Sequence, residues 1–137
     1  MTREEIIGLL PHPGPMLLVD EASVMEDHTA IGRYTVRGDE WFLQGHFPGN
    51  PVVPGVVLCE MMGQTCCVLL ADKIVGMTPY FTGIDKVKFR NSVLPGDTIE
   101  MHCAIKRSLR TFYFTECSAY VNGKLCASGE LSFALVK

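Results

Sequence analysis

A histidine in a proline-rich loop precedes a glutamate in an apolar segment within residues 45–64, GHFPGNPVVPGVVLCEMMGQ. Prolines follow His46 at every third position, at Pro48, Pro51 and Pro54. That spacing is typical of a stiff, polyproline-like path, so we expect the loop to hold His46 in place relative to the segment that follows. A neutral imidazole in a partly apolar cleft can accept a proton. His46 is therefore a candidate catalytic base, although a lone histidine is also compatible with a structural role.

Glu60 is the only carboxylic acid in residues 45–64. Its neighbours in the sequence are apolar, and such surroundings should raise the pKa of an unpaired carboxyl group and favour its protonated form. A protonated glutamate near neutral pH is what a general acid requires. Gln64 lies four positions further on, which is the helical spacing for a hydrogen bond that orients Glu60. The alternative is a structural glutamate in an ion pair, and spacing alone does not separate the two.

Gly55 is placed at or near the start of the helix that carries Glu60. Without a side chain it lets a ligand approach the backbone, and its N–H is among the donors that a helix start leaves unpaired. Such a donor could polarise a carbonyl, although a glycine after a proline is also an ordinary helix start. With a base at His46 and an acid at Glu60, the predicted chemistry is elimination of water next to a carbonyl.

The composition limits the class of protein. The 137 residues are 47% hydrophobic and 20% charged, with a net charge of -3, which indicates one globular domain over 1–137 and argues against nucleic acid as a partner. No export signal and no uncharged stretch of membrane-spanning length is present, so we predict a cytoplasmic protein without a membrane span. The six cysteines have no metal-ligand spacing and are expected to be reduced thiols in the core. We therefore predict no metal site among them.

The elements that must position these residues follow from periodicity. A helix over residues 2–10 starts with a Thr2/Glu5 capping box, and residues 56–75 form one long buried helix whose Gly63 indicates close packing against another backbone. Asn122-Gly123 predicts a hairpin turn. Strands are predicted over residues 16–19, 30–37, 80–83, 86–93, 98–106, 111–121 and 124–135. The expected fold class is α+β, with a curved antiparallel sheet around one helix and a sheet edge that a dimer could pair.

The residues 45–64 resemble the signature of the bacterial 3-hydroxyacyl-[acyl-carrier-protein] dehydratases of the FabZ type. Similar segments are LLPHPGPMLLVD, FTGIDKVKFRNSVLPGD and VNGKLCASGELSF, so the resemblance covers nearly the whole chain. It implies a hot-dog fold and dehydration of (3R)-hydroxyacyl thioesters on acyl carrier protein to trans-2-enoyl products, as a step in fatty acid biosynthesis. It also implies no metal or organic cofactor, and homodimers with a continuous sheet that often assemble as trimers of dimers.

The resemblance also assigns roles. His46 matches the catalytic histidine and Glu60 the catalytic acid, which face each other from different subunits. Gly55 matches the residue whose N–H contacts the thioester carbonyl, and Tyr80 matches a position that gates the acyl tunnel. A glutamate rather than an aspartate at position 60 favours a plain dehydratase over one that also isomerises the double bond. Met and Gly in EMMGQ, where alanines are more common, suggest a different tunnel width.

Other readings remain open at this point. Within the fold, the alternatives are a dehydratase that also isomerises its product, a thioesterase and a CoA-linked hydratase. In another class, a non-catalytic subunit that binds carrier protein is disfavoured because both His46 and Glu60 are present.

Residues 86–110 carry six basic and two acidic residues. The basic residues that could attract an acidic carrier protein are Lys86, Lys88, Arg90, Arg107 and Arg110.

Overall fold

An antiparallel sheet and one long helix organise residues 1–9, 16–44 and 51–137, which are the residues that this computed structural model describes. The helices are α1 (Arg3–Leu9) and α2 (Gly55–Cys67), and short 3-10 turns occur at Trp41–Leu43 and Val68–Leu70. Across the described residues the sheet has six strands in the order β1-β2-β4-β5-β6-β3. The strands are β1 (Glu21–Val24), β2 (Ala30–Thr35), β3 (Thr78–Phe89), β4 (Thr98–Leu109), β5 (Phe112–Val121) and β6 (Lys124–Val136). The predicted α+β class is confirmed.

Helix α1 begins as the capping box predicts. The Glu5 N–H donates to Thr2 Oγ1 at 3.3 Å, and the Thr2 N–H donates to Glu5 Oε1 at 3.2 Å. Two donors that the helix start leaves unpaired are thus satisfied reciprocally. These hydrogen bonds lower the pKa of Glu5, which keeps the capping carboxylate ionised. The helix contributes Ile6 to the core, where it is fully buried.

Helix α2 is the central helix, and it is shorter than its apolar sequence predicts. Ten of its 13 residues are buried, so it is covered on almost every side. It ends at Cys67 and tightens into the 3-10 turn Val68–Leu70, whereas the periodicity predicted a helix to residue 75. The exposed Asp72 and Lys73 follow that turn, because the chain must leave the core there to reach the start of β3 at Thr78.

The predicted strand over residues 16–19 is wrong. Leu17, Leu18 and Val19 are buried, as their sequence suggests, but the Leu18 N–H donates to the Gln64 side chain at 2.8 Å rather than to a neighbouring strand. A side chain from α2 therefore takes the place of a strand ladder. The edge strand β1 starts only at Glu21.

The two short strands predicted over residues 80–83 and 86–93 form one strand, β3. Its pairing with β6 shifts register between Phe81 and Gly83 and again between Asp85 and Lys88. Lys86 has φ 52 at the second shift, and such irregularities bend a strand without ending it. The predicted hairpin at Asn122-Gly123 is confirmed, since these residues have φ 50 and 78 and connect β5 to β6.

The core lies between α2 and one face of the sheet. Ile99, Met101 and Cys103 of β4 are buried at alternate positions, as predicted. The helix and the sheet approach closely at Gly32 of β2, where an added Cβ would lie 2.5 Å from Thr65 Oγ1. Within the described residues no helix has the length and apolar character needed to cross a membrane.

Candidate active site

His46, the predicted base, lies outside the described residues, and so does Pro48. The chain on either side of residues 45–50 is attached to the core. Phe42 and Leu43 are buried on one side, and on the other the Val53 N–H donates to Val93 O at 2.8 Å. The start and end of the histidine loop are therefore held by the same core that holds α2.

A buried carboxylate secures the approach to this loop. The side chain of Glu40 is 8% exposed and accepts the Tyr34 hydroxyl at 2.7 Å and the N–H groups of Arg37 and Gly38 at 2.9 and 2.8 Å. Burial alone would raise the pKa of Glu40, but the hydrogen bonds from Arg37, Tyr34 and Gly38 lower it overall. An ionised Glu40 thus fixes the turn that leads to residues 45–50.

Glu60 and Gln64 are joined by the hydrogen bond that their spacing predicts. Gln64 Nε2 donates to Glu60 Oε2 at 2.9 Å and to Met16 O at 2.7 Å, while its Oε1 accepts the Leu18 N–H at 2.8 Å. Gln64 is 1% exposed, so these three bonds set the orientation of its amide. Glu60 is half-buried at the rim of this arrangement. Through Gln64 the carboxylate is thus linked to the backbone of Met16 as well as to α2.

One face of α2, which we call the cavity face, consists of Glu60, Gly63, Gln64 and Cys67. It lines a cavity of about 40 Å³ that is closed on the other side by residues 79–81 and Phe133. Tyr80 therefore shares this cavity with Glu60 and Gln64. Burial, with a smaller contribution from the charge of Glu60, raises the pKa of Cys67 to about 12, so the thiol stays protonated beside the carboxylate.

The Phe81 ring covers Gly63 closely enough that an added Cβ would lie 2.5 Å from Phe81 Cζ. The prediction of close packing at this glycine is correct, but the partner is an aromatic side chain and not a backbone. Sequence reasoning missed Phe81 as a wall of the site. The position of Phe81 in a predicted strand did not indicate this role, because its contact with Gly63 depends on how β3 crosses α2.

Gly55 lies at the start of α2, as predicted, but in a different depression from Glu60. An open cleft of about 590 Å³ is formed there by residues 52–56, Leu58 and residues 89–93. The Phe89 ring packs on Gly55, where an added Cβ would lie 2.7 Å from Phe89 Cζ. The helix start has no side-chain cap and no acidic residue in its first turn. The Gly55 N–H is among the donors that a helix start leaves without an intrahelical partner, and Gly55 lines this cleft.

The cysteines are confirmed as buried and free. Three of the basic residues within residues 86–110 have different local partners. Lys86 lies 3.6 Å from Glu130 and Lys106 lies 3.1 Å from Glu116, and the Arg107 guanidinium stacks on Phe114 at 4.3 Å. Lys88 and Arg90 are both exposed. Arg90 lines the Gly55 cleft, and Lys88 lies near the end of β3.

Known proteins resemble this chain over nearly its full length. The FabA-like domain family matches residues 10–130. A 3-hydroxyacyl-[acyl-carrier-protein] dehydratase FabZ of Clostridium perfringens is 40% identical over 137 residues, which cover 98% of this chain and 99% of the relative. The FabZ of Oenococcus oeni is 39% identical over 138 residues, covering 98% of this chain and 99% of the relative.

Solved structures resemble the fold. The dehydratase heterocomplex ApeI:P from Xenorhabdus doucetiae superposes with a TM-score of 0.83 at 19% identity, covering 96% of this chain and 91% of that chain. A hypothetical thioesterase of Streptococcus pneumoniae superposes with a TM-score of 0.65 at 11% identity, covering 85% and 84%. At these identities the structural likeness shows the hot-dog fold alone. The family rests on the sequence relatives: this chain belongs to the FabA-like family and, within it, to the 3-hydroxyacyl-[acyl-carrier-protein] dehydratases of the FabZ type.

Proposed function

We propose that this protein removes water from (3R)-hydroxyacyl-[acyl-carrier-protein] thioesters to give trans-2-enoyl thioesters in fatty acid biosynthesis. Membership of the FabZ type supports the reaction. The observation that supports a role for particular residues is the hydrogen bond from Gln64 to Glu60, at the rim of a narrow cavity between α2 and β3. A half-buried carboxyl group fixed in one orientation is suited to deliver a proton to a leaving hydroxyl.

The proposed mechanism divides the proton transfers between two groups. His46 takes a proton from C2 of the acyl chain, and Glu60 gives a proton to the hydroxyl on C3, so that the C–O bond breaks, a C2–C3 double bond forms and water leaves. The Gly55 N–H donates to the thioester carbonyl while negative charge develops on its oxygen. Gln64 positions Glu60, and Tyr80 gates the entry of the acyl chain. No metal or organic cofactor has a part in these steps.

We propose that the working unit is a homodimer, in which His46 faces Glu60 of the partner. The edge strand β3 supports this, because an edge strand offers unpaired backbone groups to another strand. Aromatic and aliphatic side chains are exposed along it, including Tyr80 at 58%, Ile84 at 54% and Phe89 at 53%. Pairing two β3 strands would bury this surface and add walls to the cavity at Glu60. We extend the proposal to trimers of dimers.

We also propose that residues 1–137 form one hot-dog domain that acts in the cytoplasm on substrates presented by acyl carrier protein. One continuous buried cluster, from Ile6 in α1 to Leu135 in β6, supports the single domain. The exposed Lys88 and Arg90 are candidates for attracting the acidic carrier. Reversing both charges should raise the KM for an acyl-carrier substrate with little change in kcat, and an unchanged KM would contradict this docking surface.

The test of the mechanism follows hydration of a crotonoyl thioester, the reverse reaction, through loss of the enoyl absorbance. His46→Ala and Glu60→Gln should each lower kcat by about 10²- to 10⁴-fold, because each removes one of the two proton transfers. Thermal melting by circular dichroism provides the control, since both variants should melt close to wild type. Substantial activity in both variants would overturn the mechanism.

The same samples separate the other hot-dog activities. Release of free thiol from the thioester would indicate a thioesterase, and a cis-3-enoyl product would indicate an isomerising dehydratase. Assays with acyl-carrier and CoA thioesters of equal chain length distinguish the carrier-linked enzyme from a CoA-linked hydratase. The proposal predicts hydration without thiol release and without double-bond movement, with preference for the carrier thioester.

A further inference from the structure

Three cysteines that the proposed reaction does not use meet in the core on the opposite side of α2 from Glu60. Cys66 comes from α2, Cys103 from β4 and Cys117 from β5. Their sulfur atoms all lie within 4.8 Å of one another, and Cys66 Sγ is 3.2 Å from Cys117 Sγ. All three side chains are buried, with exposures of 0%, 1% and 2%.

Metal–sulfur bonds of about 2.3 Å would place three sulfurs about 4 Å apart around a central ion in a trigonal plane. The observed cluster is close to that size already, so a metal could be accommodated by small side-chain shifts. The three ligands also sit on rigid elements, because Cys103 and Cys117 are directly opposite each other in the β4–β5 ladder. We propose that Cys66, Cys103 and Cys117 form a three-coordinate, all-sulfur binding site for the soft monovalent ion Cu(I).

The ligand set favours a soft ion of low coordination number. Thiolate sulfur is a soft ligand that selects Cu(I), whereas structural Zn²⁺ takes four ligands in a tetrahedron. Among the described residues no further histidine, cysteine or carboxylate joins this cluster. The nearest polar side chain is Thr115, whose Oγ1 is 3.5 Å from the sulfurs of Cys66 and Cys117 and donates to Leu131 O at 2.7 Å. Its hydroxyl is therefore already engaged.

The thiolate is the form of cysteine that binds a metal ion. Each cysteine that binds Cu(I) therefore gives its proton to solvent, and no electron is transferred. The cysteine spacing in the sequence does not reveal the site, because its ligands come from three elements.

The test is an anaerobic competition between the purified protein and the Cu(I)–bicinchoninate complex. Wild type should withdraw one Cu(I) per chain, and X-ray absorption of the loaded protein should show three sulfur neighbours and no nitrogen or oxygen neighbour. Cys103→Ala and Cys117→Ala should each weaken Cu(I) binding by more than about 100-fold, a larger loss than outer-shell changes produce. Cys126→Ala, which removes a buried cysteine outside the cluster, should bind as wild type does.

Circular dichroism melting of each apo variant shows whether it is folded before titration. If one cluster variant does not fold, the other variant and the absorption spectrum of wild type still decide the question. The proposal is overturned if wild type withdraws no Cu(I), if both cluster variants retain wild-type affinity, or if the spectrum shows nitrogen or oxygen ligands. Crotonoyl-thioester hydration by the apo protein is independent of this result, so failure here leaves the proposed reaction untouched.

Discussion

The two faces of α2 differ in what they do with polar groups. The cavity face holds Glu60 and Gln64, which are satisfied by each other and by backbone at residues 16–18. The opposite face, which we call the sheet face, consists of Met62, Thr65 and Cys66. Thr65 packs against Gly32 of β2, the Cys103 thiol of β4 donates a weak hydrogen bond to Met62 O, and Cys66 contacts the sulfur of Cys117 in β5. One helix thus carries a polar arrangement with long-range partners on one side and a tightly packed contact on the other.

This difference separates activity from stability. A change on the cavity face removes hydrogen bonds that orient Glu60, whereas a change on the sheet face alters packing at residues that do not line the cavity. Three experiments test this contrast, beginning with the one for which we expect the largest effect.

The first compares adjacent positions on the two faces. Gln64→Leu should lower kcat by about 10- to 100-fold because Glu60 loses its orienting donor. It should also lower the free energy of unfolding by about 1–3 kcal/mol, because the buried Leu18 N–H loses its acceptor. Crotonoyl-thioester kinetics and urea unfolding measure the two effects.

Thr65→Val is the matched control. The Thr65 hydroxyl donates to the Met61 carbonyl, at 3.0 Å within the same helix, so its loss should cost less than about 1 kcal/mol and leave kcat unchanged. Equal losses of kcat in the Gln64 and Thr65 variants would show that the two faces are not distinct.

The second experiment creates a steric overlap of the same size on each face by replacing a glycine with alanine. An added Cβ lies 2.5 Å from Thr65 Oγ1 at Gly32 and 2.5 Å from Phe81 Cζ at Gly63. Gly32→Ala should destabilise the protein by about 1–3 kcal/mol, because Thr65 is fully buried and cannot move aside. The double variant Gly32→Ala, Thr65→Ala should recover part of that loss, which a double-mutant cycle measures.

Gly63→Ala should change the free energy of unfolding by less than about 1 kcal/mol. The Phe81 ring is 40% exposed and can swing away, and alanine gains helix propensity over glycine. Because Phe81 lines the cavity, this variant should instead shift the preference among acyl chain lengths. A stability loss as large as that of Gly32→Ala, with unchanged chain-length preference, would count against the comparison.

The third experiment uses the Cys67 thiol on the cavity face. Burial raises the pKa of Cys67 to about 12 from a value of 9.0, so in the unfolded chain this thiol ionises at lower pH than in the folded protein. The contribution of Cys67 to stability is therefore largely complete below about pH 9 and falls as pH rises toward 12, by about 1 kcal/mol at pH 10.

Cys67→Ala removes this titration. The difference in unfolding free energy between wild type and the variant should shrink by that amount between about pH 8 and pH 10, as measured by guanidinium unfolding. A constant difference over this range would show that the thiol is not shielded as the structure indicates.

Local signals in the sequence predicted local structure correctly. The Thr2/Glu5 capping box, the Asn122-Gly123 turn and the hydrogen bond between Glu60 and Gln64 all join residues at most four positions apart. The predicted strand over residues 16–19 was wrong because an apolar run has the same sequence pattern whether its backbone pairs with a strand or with a side chain. The Gln64 amide that pairs with Leu18 is 46 positions away, beyond any periodicity.

The candidate site was predictable in part. Residue types and the family resemblance indicated Glu60, Gln64, Gly55 and Tyr80, and the structure brings Glu60, Gln64 and Tyr80 to one cavity. It places Gly55 in a separate cleft under Phe89, which no spacing rule indicates. His46 lies outside the described residues, and its role stays a prediction.

The sequence by itself determined one buried helix, an antiparallel sheet, the acid and base candidates and the family, because these depend on periodicity, turn chemistry and a motif contiguous in the chain. Only the tertiary structure decided which face of α2 meets the sheet, how Phe81 and Phe89 cover Gly63 and Gly55, and that Cys66, Cys103 and Cys117 meet. The physical reason is that these contacts depend on strand order and on the register between β4 and β5. Both arise from the packing of the whole core rather than from any one segment.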